Sequence, residues 1–288
     1  MRTLNVPMHP AVEHTSPAMS FLNLPDRPQK PRCNGLTALI DTGLSTGVYC
    51  DVVESHGQLI DLIKLGWGTA YVTKDAQHKI DCARYNGVNV CLGGTFFEKA
   101  LYQNKLAEFR DCLRALNLQH VEISNGTLPL TNSQKAVHIE QFKDEFTVLS
   151  EVGYKDVSRA DALTSADWVC WIEEDFAAGA SNVITEARES GRSGLCHENG
   201  EVRRTFVEDI LSSGIDVENV IFEAPTKALQ EFFIRTVGPN VNLGNVAFTE
   251  VVGLETLRLG LRSDTLTLFE DGYGQKHGER VSLSHSLR

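Results

Sequence analysis

Short apolar runs alternate along the chain with stretches in which apolar side chains recur at helical spacing. Four of the apolar runs share one pattern, because each ends in a glutamate close to a glycine, proline or asparagine. These glutamates are Glu122 in HVEISNG, Glu151 in TVLSEVG, Glu186 in NVITEARESG and Glu223 in NVIFEAP. Repeated strand–helix units build a parallel sheet, and the carboxyl ends of its strands meet at one edge. The pattern therefore predicts that acidic side chains converge on one pocket.

Eight segments have the length and apolar content of strands. They are LTALID (36–41), LIDLIKLG (59–66), VNVCLGG (88–94), HVEISNG (120–126), FTVLSEVG (146–153), NVITEARE (182–189), NVIFEAP (219–225) and VNLGN (241–245). Between them lie helical stretches, such as the one in which Leu106, Phe109, Leu113 and Leu116 fall on one face. Eight strand–helix units predict an α/β protein with a single (β/α)8 TIM barrel, whose chemistry takes place at the carboxyl ends of the strands.

The barrel is predicted to occupy residues 34–271. Residues 1–33 contain most of the chain's 9 prolines and predict an extended, proline-rich arm. Residues 272–288 are polar and predict a flexible tail. Two helix starts have capping-box spacing, Thr95 with Glu98 and Thr131 with Gln134, which assigns Glu98 and Gln134 to local structure first.

Composition narrows the class of protein. The 288 residues are 42% hydrophobic, enough for one large core, and the net charge of −11 argues against nucleic-acid or anionic-membrane partners. No apolar run approaches the roughly 20 residues that span a bilayer, and the start of the chain lacks the pattern of a secretory signal. The 7 cysteines form no CxxC and are odd in number, which favours free thiols in a reducing cytosol. We expect a cytoplasmic protein and leave self-association into a homo-oligomer open.

Polar side chains at the predicted strand ends are the candidates for chemistry. They are Asp41, Lys64, Glu122, Ser124, Asn125, Glu151, Glu186, Arg188, Glu223, Asn242 and Asn245. Carboxylates and amides without a histidine at a strand end favour a hard cation such as Mg²⁺ over zinc. The simpler alternative is a charged ring that only stabilises the barrel interior.

The basic residues predict a small anionic substrate. Arg188 can bind phosphate or carboxylate through two parallel hydrogen bonds, whereas Lys64 and Lys155 act as point charges. The glycine-containing segment around Gly244 offers backbone N–H groups where barrels often bind phosphate. The loop RESGRSG (188–194) either closes over substrate or is an ordinary surface loop.

Eight short blocks of the sequence resemble those of a known family. The blocks KLGWGT, GGTFFE, VEISNGT, LSEVGYKD, TEARESG, IFEAP, VNLGN and LETLRLGLRSDT, in this order, resemble phosphosulfolactate synthases from about Pro31 to about Leu266. The resemblance implies a βα-barrel lyase that adds sulfite to phosphoenolpyruvate with Mg²⁺ and yields (2R)-phospho-3-sulfolactate.

The resemblance and the strand-end positions together imply roles for individual residues. Lys155 matches the lysine proposed as the general acid, which protonates an aci-carboxylate intermediate stabilised by Mg²⁺. The predicted metal ligands are drawn from Asp41, Glu151, Glu186 and Glu223. The predicted substrate-binding residues are Lys64, Ser124, Asn125, Arg188, Asn242, Gly244 and Asn245. Thr42 stands where the archaeal enzymes of the family have a lysine, and Tyr154 replaces the first lysine of the family's EVGKK segment.

Two alternatives to this reaction remain at the level of sequence. One is a related barrel lyase that joins a phospho-acid to another nucleophile. The other is a stress-associated homologue without turnover.

Overall fold

The computed structural model describes residues 19, 21–188 and 190–269. All eight predicted strands are present and every pairing between them is parallel. They are β1 (Thr37–Asp41), β2 (Leu62–Leu65), β3 (Asn89–Leu92), β4 (His120–Ile123), β5 (Thr147–Val152), β6 (Asn182–Thr185), β7 (Val220–Glu223) and β8 (Asn242–Val246). Their order is β3-β2-β1-β8-β7-β6-β5-β4, and the outer strands β3 and β4 contact each other. The predicted (β/α)8 barrel is confirmed as a nearly closed cylinder.

Helices follow the strands and surround the cylinder. They are α1 (Thr46–His56), α2 (Thr69–Val72), α3 (Ala76–Tyr85), α4 (Gly94–Tyr102), α5 (Leu106–Ala115), α6 (Asn132–Phe142), α7 (Val157–Asp161), α8 (Ser165–Ala178), α9 (Arg204–Ser212), α10 (Lys227–Val237) and α11 (Val251–Arg258). The predicted apolar face of α5 is confirmed, since Phe109 and Leu113 are buried in the core.

Side-chain alternation divides the core into two layers. Residues of one parity pack between strands and helices, as Val148 and Val152 of β5 do. Residues of the other parity fill the barrel interior, as Leu149 of β5 does with five further side chains. Successive side chains of a strand point to opposite faces, so the parity of a strand-end residue decides whether it faces the barrel interior or the helices.

One of the two predicted capping boxes is present. Thr131 and Gln134 form it at the start of α6. The prediction for Thr95 and Glu98 is wrong, because α4 begins at Gly94 without a side-chain cap. Glu98 is buried and contacts the loop after β4 instead.

The amino-terminal end of the barrel is covered by residues 21–33, the described part of the predicted arm beyond residue 19. Arg27 pairs with Glu255, and Arg32 pairs with Asp61 at 2.8 Å. A cavity of about 910 Å³ lies beneath these residues. Arg32, which lines this cavity, is ion-paired with Asp61. Active sites of (β/α)8 barrels lie at the opposite end, at the carboxyl ends of the strands, so we do not assign the active site to this cavity. The rest of the predicted arm, and the predicted tail at 272–288, lie outside the described residues.

Within the described residues, no helix combines the length and the apolar character needed to cross a bilayer. All seven cysteines are free thiols, as expected.

Candidate active site

A cavity of about 150 Å³ opens at the carboxyl ends of the strands. Its lining contains seven charged side chains. They are Lys64, Glu122, Glu151, Lys155, Glu186, Arg188 and Glu223. The strand-end glutamates therefore converge on one pocket, as the repeated pattern predicts.

Lys64 occupies the centre of the acidic cluster. Its Nζ lies 3.0 Å from Glu122 Oε2 on β4 and 3.2 Å from Glu223 Oε1 on β7. Glu151 Oε2 on β5 is 3.8 Å away. One ammonium group thus links β2 to three other strands, and all four side chains are nearly or fully buried.

Lys155 forms a second centre nearer the opening. Its Nζ contacts Glu151 Oε1 at 2.5 Å and Glu186 Oε2 at 2.6 Å. Its backbone N–H donates to the carbonyl of Gly126 at 3.1 Å, which fixes the turn after β5 against the loop after β4. The Lys155 side chain is 28% exposed, so it is accessible from the cavity mouth while remaining ion-paired.

The two glutamates of β4 and β5 have pKa values shifted in opposite directions. Burial raises the pKa of Glu122 to about 6, although the charge of Lys64 acts in the opposite direction. Burial also works to raise the pKa of Glu151, but the charges of Lys155 and Lys64 outweigh it and lower that pKa to about 2. Glu151 is therefore an ionised partner for both lysines.

Glu186 is a buried carboxyl group whose surroundings favour the protonated form. Burial raises its pKa well above the ordinary value, and the charges of Glu151 and Glu223 add to the effect. Lys155 opposes the shift without cancelling it. The pKa of Lys155 is raised well above its ordinary value, because the neighbouring glutamates outweigh the burial that lowers it.

Three residues lining the cavity have a left-handed backbone, which L side chains rarely adopt. They are Trp67 (φ 53°), Arg188 (φ 59°) and Asn245 (φ 53°). Each lies at or just after the end of a strand. Such a backbone conformation costs on the order of 1–3 kcal/mol and persists only where the surrounding structure holds it in place. Asn245 Oδ1 is buried without a protein partner among the described residues, so it is available to a ligand.

Two glycines allow the walls to approach closely. A Cβ at Gly94 would lie 2.4 Å from Ser124 Oγ, and its N–H donates to Glu122 Oε1 at 2.6 Å. Gly194 (φ 61°) lies so close to Glu186 that a Cβ would be 1.8 Å from the Glu186 carbonyl oxygen. Gly194, the last residue of the RESGRSG loop, thus packs against the chain just after β6. Closure of the loop over a ligand stays a prediction.

The structure does not bring Asp41 to the other predicted metal ligands, which corrects the sequence prediction. Asp41 has the parity of Leu39 and faces the helices, whereas Ile40 lines the cavity. Its Oδ2 lies 2.6 Å from Lys79 Nζ, and its Oδ1 accepts N–H bonds from the loop after β1. The buried Asp41–Lys79 pair fixes this loop from outside the barrel.

Asn242 is also misplaced by the prediction. It is the first residue of β8, at the amino-terminal end of the barrel, where its amide accepts from Leu36 N–H and donates to the carbonyl of Glu218. Gly244 lies within β8, with its carbonyl bonded to Ala224 N–H, and does not line the cavity.

Ser124 and Asn125 lie behind the cavity wall. Ser124 Oγ donates to Glu98 Oε1 at 2.7 Å, and Asn125 Nδ2 donates to the Leu130 carbonyl at 2.9 Å. They shape the loop after β4 from which Thr127 reaches the cavity. Sequence reasoning gave Thr127 and Trp67 no role, since neither ends an apolar run.

The carboxylates of the cavity are the candidate ligands for a metal ion. Among the described residues, no three Asp, Glu, His or Cys side chains are arranged as a ready-made metal cage. Mg²⁺ typically uses one or two carboxylates together with water and substrate oxygens. Burial, together with the charges of Glu151 and Glu223, raises the pKa of Glu186, and four glutamates face two lysines and one arginine in the cavity lining. A divalent cation would relieve that excess of negative charge, so the donors fit Mg²⁺ bound together with substrate.

The fold and the site together are those of a (β/α)8-barrel enzyme, with two lysines among four glutamates at the carboxyl ends of the strands. Residues 25–264 match the model of one family, described as (2R)-phospho-3-sulfolactate synthase (ComA). The chain belongs to this family.

Two phosphosulfolactate synthases agree with this assignment, and a more distant relative has another name. A phosphosulfolactate synthase of Bacillus subtilis (strain 168) is 49% identical over 247 residues, which cover 86% of this chain and 98% of that protein. One of Methanothermobacter thermautotrophicus is 41% identical over 253 residues, covering 86% and 97%. Protein HEAT-STRESS-ASSOCIATED 32 of Arabidopsis thaliana is 23% identical over 268 residues, covering 83% and 91%.

Proposed function

We propose that the protein is a phosphosulfolactate synthase, a lyase that joins sulfite and phosphoenolpyruvate. The lone pair on the sulfite sulfur forms a bond to C3 of phosphoenolpyruvate. The electrons of the C2–C3 double bond move toward C2 and the carboxylate, and a proton added at C2 completes (2R)-phospho-3-sulfolactate. All atoms of both substrates remain in the product, so the enzyme has to supply only a proton and a charge environment.

The observation that carries this proposal is the position of Lys155. Its ammonium group reaches the cavity mouth, and Glu151 and Glu186 hold it on two sides. Its raised pKa keeps it protonated at neutral pH, as a proton donor to C2 requires. General-acid assistance of this kind contributes about 10²- to 10⁴-fold to rate.

The charges of the cavity support a metal requirement. Four glutamates face two lysines and one arginine in its lining. Two anionic substrates would add further negative charge, which the protein alone does not offset. We assign Mg²⁺ to one or two of Glu151, Glu186 and Glu223. When bound, Mg²⁺ would stabilise the negative charge that builds on the substrate carboxylate.

Anion binding falls to the remaining polar groups of the cavity. Lys64 and Arg188 are the cations that line the cavity besides Lys155, and Asn245 offers an amide from β8. Thr42, which stands where relatives have a lysine, is absent from the lining. We therefore propose that Lys64 and Arg188 take the phosphate and the sulfite.

The test is turnover by the pure protein. Incubation with phosphoenolpyruvate, sulfite and Mg²⁺ is expected to replace the phosphoenolpyruvate ³¹P resonance with that of a phosphosulfolactate. Omission of sulfite is the matched control. Binding of phosphoenolpyruvate without consumption would favour a related lyase with another nucleophile. Failure to bind, with no effect of a chelator, would favour a homologue without turnover. The free thiols support a cytoplasmic site of action.

A further inference from the structure

A buried ion pair lies directly behind the strand that carries Glu151. Lys135 of α6 and Asp175 of α8 are both completely buried, with Nζ 2.6 Å from Oδ2. Neither side chain lines the active-site cavity. The pair lies instead between the two helices that flank β5, on the outer side of the barrel.

The pair bonds to two successive residues at the end of β5. Lys135 Nζ donates to the backbone carbonyl of Glu151 at 2.8 Å, and Ser150 Oγ donates to Asp175 Oδ2 at 2.5 Å. Asn132 Nδ2 donates to Asp175 Oδ1 at 3.1 Å. The Ser150 side chain faces the helices and the Glu151 side chain faces the cavity. The network thus holds the backbone from which the Glu151 carboxylate extends to Lys155.

The stability of the fold does not by itself explain a charged pair between these helices and β5. The same helix–sheet layer is apolar around the pair, with Ile139 and Phe142 on α6 and Trp168 and Ile172 on α8. Replacing a buried ion pair by apolar side chains of similar volume is often neutral or stabilising, whereas removing one partner is strongly destabilising. What apolar side chains cannot supply is a directional bond to the Glu151 carbonyl.

We propose that Lys135 and Asp175 are positioning residues for the proton donor. They fix the end of β5 so that the Glu151 carboxylate holds Lys155 at its place in the cavity. Displacement of a reacting group by about 1 Å can cost 10²-fold in rate, so an anchor behind the strand acts on turnover without touching substrate.

A second buried pair provides a matched control. Arg32 and Asp61 are almost completely buried, with Nη2 2.8 Å from Oδ2. Asp61 also accepts the N–H of Thr37 at 2.8 Å, so this pair likewise holds a strand backbone. It lies at the amino-terminal end of the barrel, far from the cavity that contains Lys155.

The decisive variants remove both charges of a pair at once. Lys135→Met alone leaves Asp175 unpaired and is expected to lower the urea unfolding midpoint. Lys135→Met with Asp175→Leu is expected to recover most of that midpoint while kcat stays about 10- to 100-fold below wild type. KM for phosphoenolpyruvate should change far less, because Lys64 lies on β2 and Arg188 lies in the loop after β6. Arg32→Met with Asp61→Leu should keep wild-type kcat.

The kinetic test rests on the proposed function, whereas a second, crystallographic test does not. Crystal structures of the wild type and the Lys135/Asp175 double variant, both without substrate, should show the Glu151–Lys155 contact of 2.5 Å lost or displaced in the variant. Recovery of kcat along with stability, an equal kcat loss in the Arg32/Asp61 control, or an unchanged Glu151–Lys155 contact would each overturn the inference. A wild type that fails to consume phosphoenolpyruvate and sulfite would reject the proposed function, and the crystal structures would still decide the positioning role.

Discussion

Lys64 on β2 and Glu223 on β7 meet across the barrel, with Nζ 3.2 Å from Oε1. Strands β1 and β8 lie between them in the sheet order, so the contact is a true cross-barrel link. Glu122 contacts the same ammonium group from the other side at 3.0 Å. Lys64 therefore links strands that are not hydrogen-bonded to each other in the sheet.

Removing this cation should destabilise the fold. Lys64→Met leaves Glu122 and Glu223 buried without their shared counter-ion, and breaking such a pair costs about 3–5 kcal/mol. Urea unfolding should report this loss in the free energy of unfolding. Lys105→Met is the control, because its exposed pair with Glu108 should be worth less than about 1 kcal/mol. Equal losses in both variants would contradict the cross-linking role.

Glu122 should make stability fall with rising pH over a narrow window. Its pKa is raised from 4.5 to about 6, so between these values the folded protein binds more protons here than the unfolded chain. The free energy of unfolding therefore falls as pH rises through the window, by about 2 kcal/mol. Urea unfolding at pH 4.5 and pH 6.5 should show the fall in wild type and a smaller one in Glu122→Gln. Glu151 titrates below this window, since its pKa is about 2. An identical slope in both proteins would show that Glu122 is not the titrating group.

Lys155 should be needed for turnover and not for folding. Lys155→Ala should lower kcat by about 10²- to 10⁴-fold through loss of the proton donor, measured as formation of the phosphosulfolactate ³¹P resonance. The circular dichroism spectrum should stay that of the folded barrel, because the side chain is partly exposed at the cavity mouth. The free energy of unfolding should fall, since Glu151 and Glu186 lose their counter-ion. Lys99→Ala, on the surface of α4, is the control and should keep wild-type kcat. Near-normal turnover of Lys155→Ala would reject Lys155 as the acid.

The strands could be predicted because a strand of a parallel barrel is buried on both faces and forms a continuous apolar run. The same property conceals which residues face the cavity. Asp41 and Glu151 both end such runs, yet Asp41 faces the helices and Glu151 the interior. In β8 an asparagine stands near each end. The apolar pattern does not distinguish Asn242, at the amino-terminal end of the barrel, from Asn245, which lines the active-site cavity.

Glu98 shows how a local pattern can conceal a tertiary role. It has capping-box spacing, but its Oε2 accepts the N–H groups of Thr127 and Leu128 at 2.9 and 2.6 Å, and its Oε1 accepts from Ser124. Nothing in the spacing distinguishes it from Gln134, which does cap its helix. The partner loop is about 30 residues away in the chain and becomes a neighbour only through the fold.

The two residues should differ sharply when truncated. Glu98→Ala removes the acceptor for both loop N–H groups, each bond to a charged group being worth about 1.5–3 kcal/mol. The loop that carries Thr127 should loosen, and KM for phosphoenolpyruvate should rise about 10-fold. Gln134→Ala loses only an exposed cap, at a cost of about 1 kcal/mol in the free energy of unfolding, with KM unchanged. Similar kinetic effects of both substitutions would show that Glu98 acts through general stability.

Binding of Mg²⁺ should release a proton, because the cation and the proton compete for the same excess of negative charge. Glu186 has a pKa raised well above its ordinary value by burial and by Glu151 and Glu223. A divalent cation held by these carboxylates lowers the pKa of Glu186, so that Glu186 loses its proton. Mg²⁺ added to chelator-treated protein with phosphoenolpyruvate, in weakly buffered solution with a pH indicator, should therefore acidify the medium. Glu186→Gln should bind Mg²⁺ more weakly and release fewer protons, whereas Glu173→Gln on the surface of α8 should match wild type. Proton release by Glu186→Gln equal to that of wild type would place the exchanged proton elsewhere, and calorimetric absence of Mg²⁺ binding in wild type would remove the metal from the proposed reaction.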